Sequence, residues 1–259
     1  MFARAQPAPS PNWNARTEPI KLLVLHYTGM ADGASALAKL RDPAPTAGRY
    51  AHAAPGLTDL PPETPIGRVS AHYLVQTDGE VLALVDEDKR AWHAGLGRWC
   101  GVNDLNSASI GVEIVNGGHA FDMPPYPDVQ IEAVIALCRE ILERYELPAH
   151  AVVGHSDVDP TRKADPGEHF PWARLAAAGV GLWPVLNSPL SEPPEDIAEV
   201  QAVLSTLGYA LETTGEANAD TRAVLAAFQR RYRPAAITGA LDPETWARIA
   251  SLSALPTPD

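Results

Sequence analysis

The sequence of 259 residues has little cysteine, little positive charge and no long apolar run. Its two cysteines, Cys100 and Cys138, are too few for a disulfide framework or a CxxC zinc knuckle. Lysine and arginine number 20 against 32 aspartates and glutamates, and the formal net charge of −12 argues against binding to nucleic acid or to an anionic membrane surface. No run reaches the roughly 18 apolar residues of a membrane span. We therefore expect neither a nucleic-acid partner nor a membrane-spanning segment.

The first residues, MFARAQPAPSPNWNAR, contain no apolar signal segment and no cysteine for lipidation. As written, the sequence predicts a cytoplasmic protein, with the periplasm or cell envelope as the alternative. No pattern addresses the oligomeric state, and we expect a monomer.

Apolar runs predict the strands of a first domain. Continuous runs, typical of buried strands, occupy residues 20–28, 107–116 and 149–155. Residues 70–87 form two strand-like runs around Asp78-Gly79, which is a strong hairpin signal. These segments predict the strands of one central sheet.

Helical periodicity appears between the strands, at residues 34–42, 128–146 and 170–179. Residues 1–18 and the proline-rich residues 43–68 are expected to be irregular. The interleaving of strands and helices predicts an α/β domain with a mixed central sheet flanked by helices.

The proline- and serine-rich residues 184–195 predict a linker between a domain of residues 1–183 and a second unit of residues 196–259. The second unit contains an internal repeat, because TGEANADT (214–221) aligns with TGALDPET (238–245) at a period of 24. Each copy combines a turn with a helix start. We predict a small three-helix domain that folds beside the first.

The segment VVGHSDVDPTRKADPGEHF (152–170) concentrates ionisable residues after an apolar run. A calcium loop beginning at Asp157 would end at Glu168, but its sixth position must be glycine and is Arg162. We therefore disfavour the calcium loop. A salt-bridged surface turn and a metal site both remain compatible with the composition.

Histidine and carboxylate side chains are common zinc ligands. His26 ends one predicted strand, His155 ends another, and Asp165 lies ten residues later on a loop stiffened by Pro160 and Pro166. Strand ends and a rigid return loop can bring three such side chains to one edge of a sheet. The spacing suggests a metal site without excluding the surface turn.

Glu113 lies within the apolar segment SIGVEIV. Burial of an unpaired carboxylate is costly, so this side chain must face solvent, pair with a cation or face a functional site. The neighbouring glycine and β-branched residues are typical of a central strand, and they favour the functional site.

Five motifs follow one another along the chain: LLVLHYTG, SAHYLVQTDGEV, AWHAG, SIGVEIVN and VVGHSDVDPTRKADPG. Their order and separations resemble the zinc-dependent N-acetylmuramoyl-L-alanine amidases of the type-2 amidase family, which is related to phage T7 lysozyme and the peptidoglycan recognition proteins. The resemblance covers roughly residues 18–180. The tail, with LGY, FQRRY and TGALDPETW, resembles a peptidoglycan-binding domain, and together the two parts resemble the AmiD-like amidases.

The resemblance implies a set of site residues. One zinc ion per chain would be bound by His26, His155 and Asp165. Glu113 would be the catalytic carboxylate, and Lys163 would lie over the substrate carbonyl. The residues expected to contact substrate are His93, Trp92 and Asn116.

The implied reaction is hydrolysis of the amide between the lactyl group of N-acetylmuramic acid and L-alanine of the stem peptide. The implied partners are peptidoglycan or muropeptide fragments. Two alternatives are a recognition protein that binds peptidoglycan without cleaving it and a cytosolic amidase that recycles anhydromuropeptides. If the tail is an independent module, removal of residues 190–259 should weaken binding to cell-wall sacculi and spare hydrolysis of small fragments.

Overall fold

The structure is a computed structural model that describes residue 2, residues 4–186, residue 190 and residues 192–255. The strands are β1 (Gln6–Pro7), β2 (Trp13–Ala15), β3 (Leu22–Tyr27), β4 (Tyr73–Val75), β5 (Val81–Ala83), β6 (Lys89–Ala91), β7 (Ser109–Ile114) and β8 (Val152–Gly154). The helices are α1 (Gly33–Arg41), α2 (Ala47–Tyr50), α3 (Leu105–Ala108), α4 (Asp128–Arg144), α5 (His155–Val158), α6 (Trp172–Ala177), α7 (Ile197–Thr206), α8 (Ala219–Tyr232) and α9 (Pro243–Ser253). Short 3₁₀ turns cover Pro55–Leu57, Gly118–Phe121 and Ala149–Ala151.

The main sheet has six strands in the order β1-β5-β4-β7-β3-β8. Strand β3 pairs in parallel with β7 and β8, and β4 pairs in parallel with β7 and antiparallel with β5. Strands β2 and β6 form a separate antiparallel pair. The predicted mixed sheet and the predicted hairpin are therefore both confirmed.

The sheet is covered on both faces, which explains its continuous apolar strands. Helix α4 packs its buried side chains, among them Ile131, Leu137 and Ile141, against Leu25 of β3 and other core residues. On the other face, Leu40 of α1 joins a second group of buried apolar side chains from β4 and β5. The predicted arrangement of helices around the sheet is confirmed.

Three segments differ from their predictions. Residues 43–68 are not wholly irregular, because α2 and the 3₁₀ turn Pro55–Leu57 lie within them. Residues 1–18 are not wholly irregular, because β1 and β2 lie within them. Pro7 is tolerated because β1 is an edge strand, where a missing backbone donor breaks no inner ladder. The predicted strand 149–155 is shorter than expected, since β8 ends at Gly154 and His155 is the first residue of α5.

Helices α7, α8 and α9 form the predicted helical unit at the end of the chain. Within the predicted linker 184–195, residues 187–189 and 191 lie outside those that the structure describes. The proposed domain boundaries stay predictions. Within the described ranges, no helix is both long and apolar enough to cross a membrane.

The internal repeat corresponds to two matching turns. In each copy, a fully buried glutamine from the preceding helix accepts hydrogen bonds from two successive backbone N–H groups. In the first copy, the N–H groups of Thr214 and Gly215 donate to Gln201 at 2.9 Å each. In the second copy, those of Thr238 and Gly239 donate to Gln229 at 2.8 Å each. Each glutamine also donates to the threonine of the next helix, with distances of 2.8 Å to Thr221 and 3.1 Å to Thr245. The repeat is therefore a structural unit.

The helical unit shares a core with the sheet. Val24 of β3 and Val153 of β8 belong to the same cluster of buried side chains as Phe228 of α8 and Ile249 of α9. Trp99, from the loop before α3, packs edge-on against Tyr209 with ring centroids 4.8 Å apart. The two parts of the chain are joined by packing as well as by the linker.

Candidate active site

The candidate site lies where the parallel strands β3, β7 and β8 end. His26 and Glu113 are register partners on β3 and β7. His155 follows β8 directly as the first residue of α5. Carboxyl ends of neighbouring parallel strands meet at one edge of a sheet, and ligands commonly bind there. The fold thus brings together side chains that are far apart in the sequence.

Three polar side chains converge at this edge. The Nδ1 atoms of His26 and His155 are 2.9 Å apart, and Oδ2 of Asp165 lies 3.1 Å from each of them. All three residues are buried, and their ligand atoms lie within 4.8 Å of one another. Nε2 of His155 is buried with no hydrogen-bond partner among the described residues. Two imidazole nitrogens and one carboxylate oxygen form a donor set suited to a metal ion.

The protonation states favour metal binding. Burial, followed by the nearby charge of His155, lowers the pKa of His26 to about 4. Burial alone would raise the pKa of Asp165, but His155 and His26 outweigh it and hold that pKa well below its usual range. A neutral imidazole and an ionised carboxylate are the forms that coordinate a metal.

A third histidine, His93, contacts the second ring nitrogen of His26 and orients its ring. Nε2 of His26 lies 3.0 Å from Nδ1 of His93, and Nε2 of His93 lies 3.4 Å from Oγ of Ser109. A Cβ atom at Gly111 would come within 2.4 Å of the His93 ring, so only glycine leaves room for it. Histidines that bind a metal are commonly fixed through their second nitrogen. His93 lines the cleft and contacts His26; its predicted contact with substrate stays a prediction.

Glu113 is half-buried across the cleft, and its Oε2 is buried without a hydrogen-bond partner in the described part of the chain. Burial, with the charge of Asp165 as the second cause, raises the pKa of Glu113 to about 8. The charges of Lys39 and Lys163 act in the opposite direction on that pKa. The carboxyl group is therefore poised to exchange a proton near neutral pH.

The cleft has a volume of about 190 Å³. Its lining includes the three converging residues, Glu113, Lys163 and Lys39. The sequence does not identify Lys39 as a site residue, because a lysine on a short amphipathic helix is typical of a solvent-facing position. No sequence pattern distinguishes it from the other lysines, and only the packing of α1 against the cleft reveals it.

The other two predicted substrate contacts are engaged within the protein. Nε1 of Trp92 donates to Asn14 at 2.6 Å, and the guanidinium of Arg68 lies 5.0 Å from the centre of the indole ring. The amide of Asn116 donates to the carbonyl of Pro124 at 2.9 Å and accepts from Gly118 at 2.8 Å. The structure does not bring these two side chains together with the converging histidines, and their contact with substrate stays a prediction.

A buried set of metal donors, an acid with a raised pKa and a cationic rim are the features of a metal-dependent hydrolase. The comparisons with known proteins specify which family of hydrolases this chain belongs to. Residues 16–168 match the family model N-acetylmuramoyl-L-alanine amidase, and residues 193–249 match the model of a peptidoglycan binding domain. The chain belongs to the N-acetylmuramoyl-L-alanine amidase family and is an enzyme of that activity.

The similarity to amidases with both parts extends over most of the chain. AmiD from Escherichia coli is 34% identical over 252 aligned positions, and the match covers 90% of this chain and 82% of AmiD. The structure of AmiD in complex with the substrate anhydro-N-acetylmuramic acid-L-Ala-D-gamma-Glu-L-Lys gives a TM-score of 0.73 at 34% identity, covering 91% of this chain and 90% of AmiD. AmpDh3 from Pseudomonas aeruginosa gives a TM-score of 0.72 at 33% identity, covering 90% and 91%.

A shorter relative matches a smaller share of the chain. The 1,6-anhydro-N-acetylmuramyl-L-alanine amidase AmpD from Escherichia coli is 42% identical over 108 residues, which are 42% of this chain and 57% of AmpD. The expected resemblance to amidases with a C-terminal peptidoglycan-binding domain is confirmed.

Proposed function

We propose that this amidase binds one zinc ion through His26, His155 and Asp165 and cleaves the amide between the lactyl group of N-acetylmuramic acid and L-alanine of a stem peptide. The observation that carries the proposal is the convergence of three buried donor atoms beside Glu113. The solved complexes of AmiD with its substrate and of AmpDh3 with an anhydromuramic pentapeptide support a muropeptide as the substrate.

The donor set supports zinc, because neutral imidazole and carboxylate are its usual ligands in hydrolases. When bound, zinc supplies Lewis-acid polarisation of a carbonyl and a lowered pKa for water. His26, His155 and Asp165 would give a zinc ion the three protein ligands that catalytic zinc sites use.

Glu113 acts as the general base and then as the general acid. It accepts a proton from the attacking water as the new carbon–oxygen bond forms. It then delivers that proton to the amide nitrogen as the carbon–nitrogen bond breaks, so the products are the lactyl carboxylate and the free amine of L-alanine. A carboxyl whose pKa is raised to about 8 can perform both transfers near neutral pH.

Lys163 stabilises the negative charge that develops on the carbonyl oxygen. Its position on the cleft wall, close enough to influence the pKa of Glu113, supports this role. A fixed cation in a partly buried cleft stabilises such an oxyanion more strongly than water does.

Purified protein incubated with anhydro-N-acetylmuramyl-L-Ala-D-Glu-L-Lys provides the test. Chromatography with mass spectrometry should detect the free tripeptide in the zinc-loaded sample. Treatment with a chelator should abolish its release, and readdition of zinc should restore it. A wild-type protein that carries one zinc ion per chain and releases no peptide would reject the proposed reaction.

The C-terminal unit, residues 196–259, is proposed to bind peptidoglycan. The compartment of the protein is tied to its substrate, since the cytoplasm supplies soluble fragments whereas the cell envelope supplies intact sacculi. Cleavage rates measured on soluble anhydromuropeptides and on intact sacculi distinguish the two compartments. A marked preference for soluble anhydromuropeptides favours recycling, and cleavage of intact sacculi favours the envelope.

A further inference from the structure

Asp157 connects the metal site to the C-terminal helices. It lies in α5 two residues after His155 and is fully buried. Its Oδ2 accepts a hydrogen bond from the backbone of Gly154 at 2.8 Å, which closes the turn between β8 and α5. Burial of a carboxylate is costly unless the group makes further hydrogen bonds, and a charged partner offsets this cost most effectively.

The partners of Asp157 come from the C-terminal unit. Nη1 of Arg231 in α8 donates to Oδ2 at 2.6 Å, and the hydroxyl of Tyr209 donates to Oδ1 at 2.9 Å. Nη2 of Arg231 also donates to the carbonyl of Val152 at 2.9 Å, so one guanidinium bonds both β8 and α5. Arg231 is only 4% exposed, and its guanidinium carbon lies 4.1 Å from the centre of the Trp172 ring.

Helix α5 cannot hold its own orientation. It has four residues, and so short a helix is unstable without tertiary contacts. Its first residue is His155, which supplies one of the three donor atoms of the site. The orientation of the His155 ring therefore depends on what fixes Asp157.

We propose that Arg231 and Tyr209 are positioning residues for the zinc site, which they support through Asp157 and the first turn of α5. This inference rests on the proposed zinc chemistry. It makes the C-terminal unit part of the catalytic machinery in addition to any binding of the cell wall. It also opposes the expectation that residues 190–259 are dispensable for small substrates, because their removal would take away the two side chains that fix the Asp157 carboxylate.

Zinc affinity of the full-length chain, measured by competition with a fluorescent chelator, tests the proposal without substrate. Arg231→Met should weaken zinc binding by about tenfold or more, as loss of a residue that orients a ligand does in other zinc sites. Arg231→Lys should recover part of the affinity, because lysine can reach Asp157 but cannot bond Val152 at the same time. Turnover of Arg231→Met at saturating zinc should exceed its turnover at limiting zinc.

Ile249→Ala is the matched control. Ile249 is fully buried in α9, and the substitution destabilises the same unit without removing any hydrogen bond to Asp157. If Ile249→Ala and Arg231→Met have equal thermal stability, Ile249→Ala should still bind zinc with the affinity of the wild type. Equal loss of affinity in Ile249→Ala and Arg231→Met would overturn the positioning role, since general destabilisation would then explain both.

Tyr209→Phe covers the case in which Arg231→Met does not fold. It removes one hydroxyl and keeps the ring packed against Trp99, and we expect a smaller loss, about threefold, since only one neutral hydrogen bond is removed. Wild-type affinity in Tyr209→Phe would overturn the inference. A wild-type chain with no measurable zinc affinity would instead reject the proposed function itself.

Discussion

The turns of the C-terminal unit and the cleft at the strand ends are both built on buried polar side chains, yet they differ in how fully those side chains are hydrogen-bonded. Gln201 and Gln229 use both ends of their amides, each with partners at 3.1 Å or less. In the cleft, Oε2 of Glu113 and Nε2 of His155 are buried and have no partner among the described residues.

The difference separates a structural role from a catalytic one. Burial of a polar group is costly unless it is hydrogen-bonded, so a satisfied amide stabilises its turn. An unsatisfied carboxyl or imidazole is retained at a cost in stability, which is expected where the missing partner is a substrate, a water molecule or a metal ion. Four predictions test this comparison.

The largest effect is expected from the metal ligands. His155→Ala removes one of three donor atoms, so zinc content should fall from one per chain to near zero and amidase activity below detection. Elemental analysis of dialysed protein, with activity measured on the same sample, checks this. His26→Ala and Asp165→Ala should behave alike. A variant that kept both zinc and activity would remove that residue from the site.

Glu113→Gln should lower kcat by about 10²- to 10⁴-fold, since the amide cannot accept the proton of water. Zinc content should stay at one per chain, because Glu113 is not among the converging donors. Thermal stability should not fall, as the substitution replaces a buried carboxyl that lacks a partner with a neutral group. Loss of zinc from this variant would count against the assigned role.

Gln229→Ala should leave the cleft intact and destabilise the C-terminal unit. Two backbone N–H groups, two threonine hydroxyls and the carbonyl of Ala240 each lose a hydrogen bond, which we expect to cost about 3 kcal/mol in total. Urea unfolding followed by tryptophan fluorescence measures the loss. Gln201→Ala should match it, and Glu212→Ala, at an exposed position nearby, should change little. Unequal losses would break the equivalence of the two turns.

Lys39→Met should have the smallest effect, and only on the acid side of the pH profile. The charge of Lys39 lowers the pKa of Glu113, so its removal raises that pKa further. The carboxylate needed as base then forms at higher pH, and the acid limb of kcat should move upward. Rates well above pH 8 should converge with those of the wild type. An acid limb that stayed in place would show that Lys39 does not act on Glu113.

The central strands and the site were the most predictable parts of the molecule. Strands β3 and β7 are continuous apolar runs because both faces of the sheet are covered, and the Asp78-Gly79 turn fixes the hairpin. His26, His155 and Asp165 could be named because the resemblance of the five ordered motifs implies them; the first two lie at the ends of predicted strands, and Asp165 lies on the loop after His155. What the residues alone could not supply was their convergence, which depends on the pairing of β3 with β8.

The features that escaped prediction depend on contacts between distant segments. Strand β1 exists because the edge of β5 was available to pair with a proline-containing segment. Asp157 and Arg231 are 74 residues apart, and each belongs to a charged stretch typical of a solvated surface. No periodicity encodes which of these charges is buried, because burial is decided when the helical unit packs on the sheet.

The ion pair between Asp157 and Arg231 also limits how this enzyme can be engineered. One way to redirect an enzyme of two parts is to exchange its C-terminal unit for another. Here such an exchange would discard the guanidinium that neutralises a carboxylate two residues after a proposed zinc ligand. A replacement module would have to be selected for an arginine and a tyrosine that dock at this position, and its affinity for sugar would be a secondary criterion.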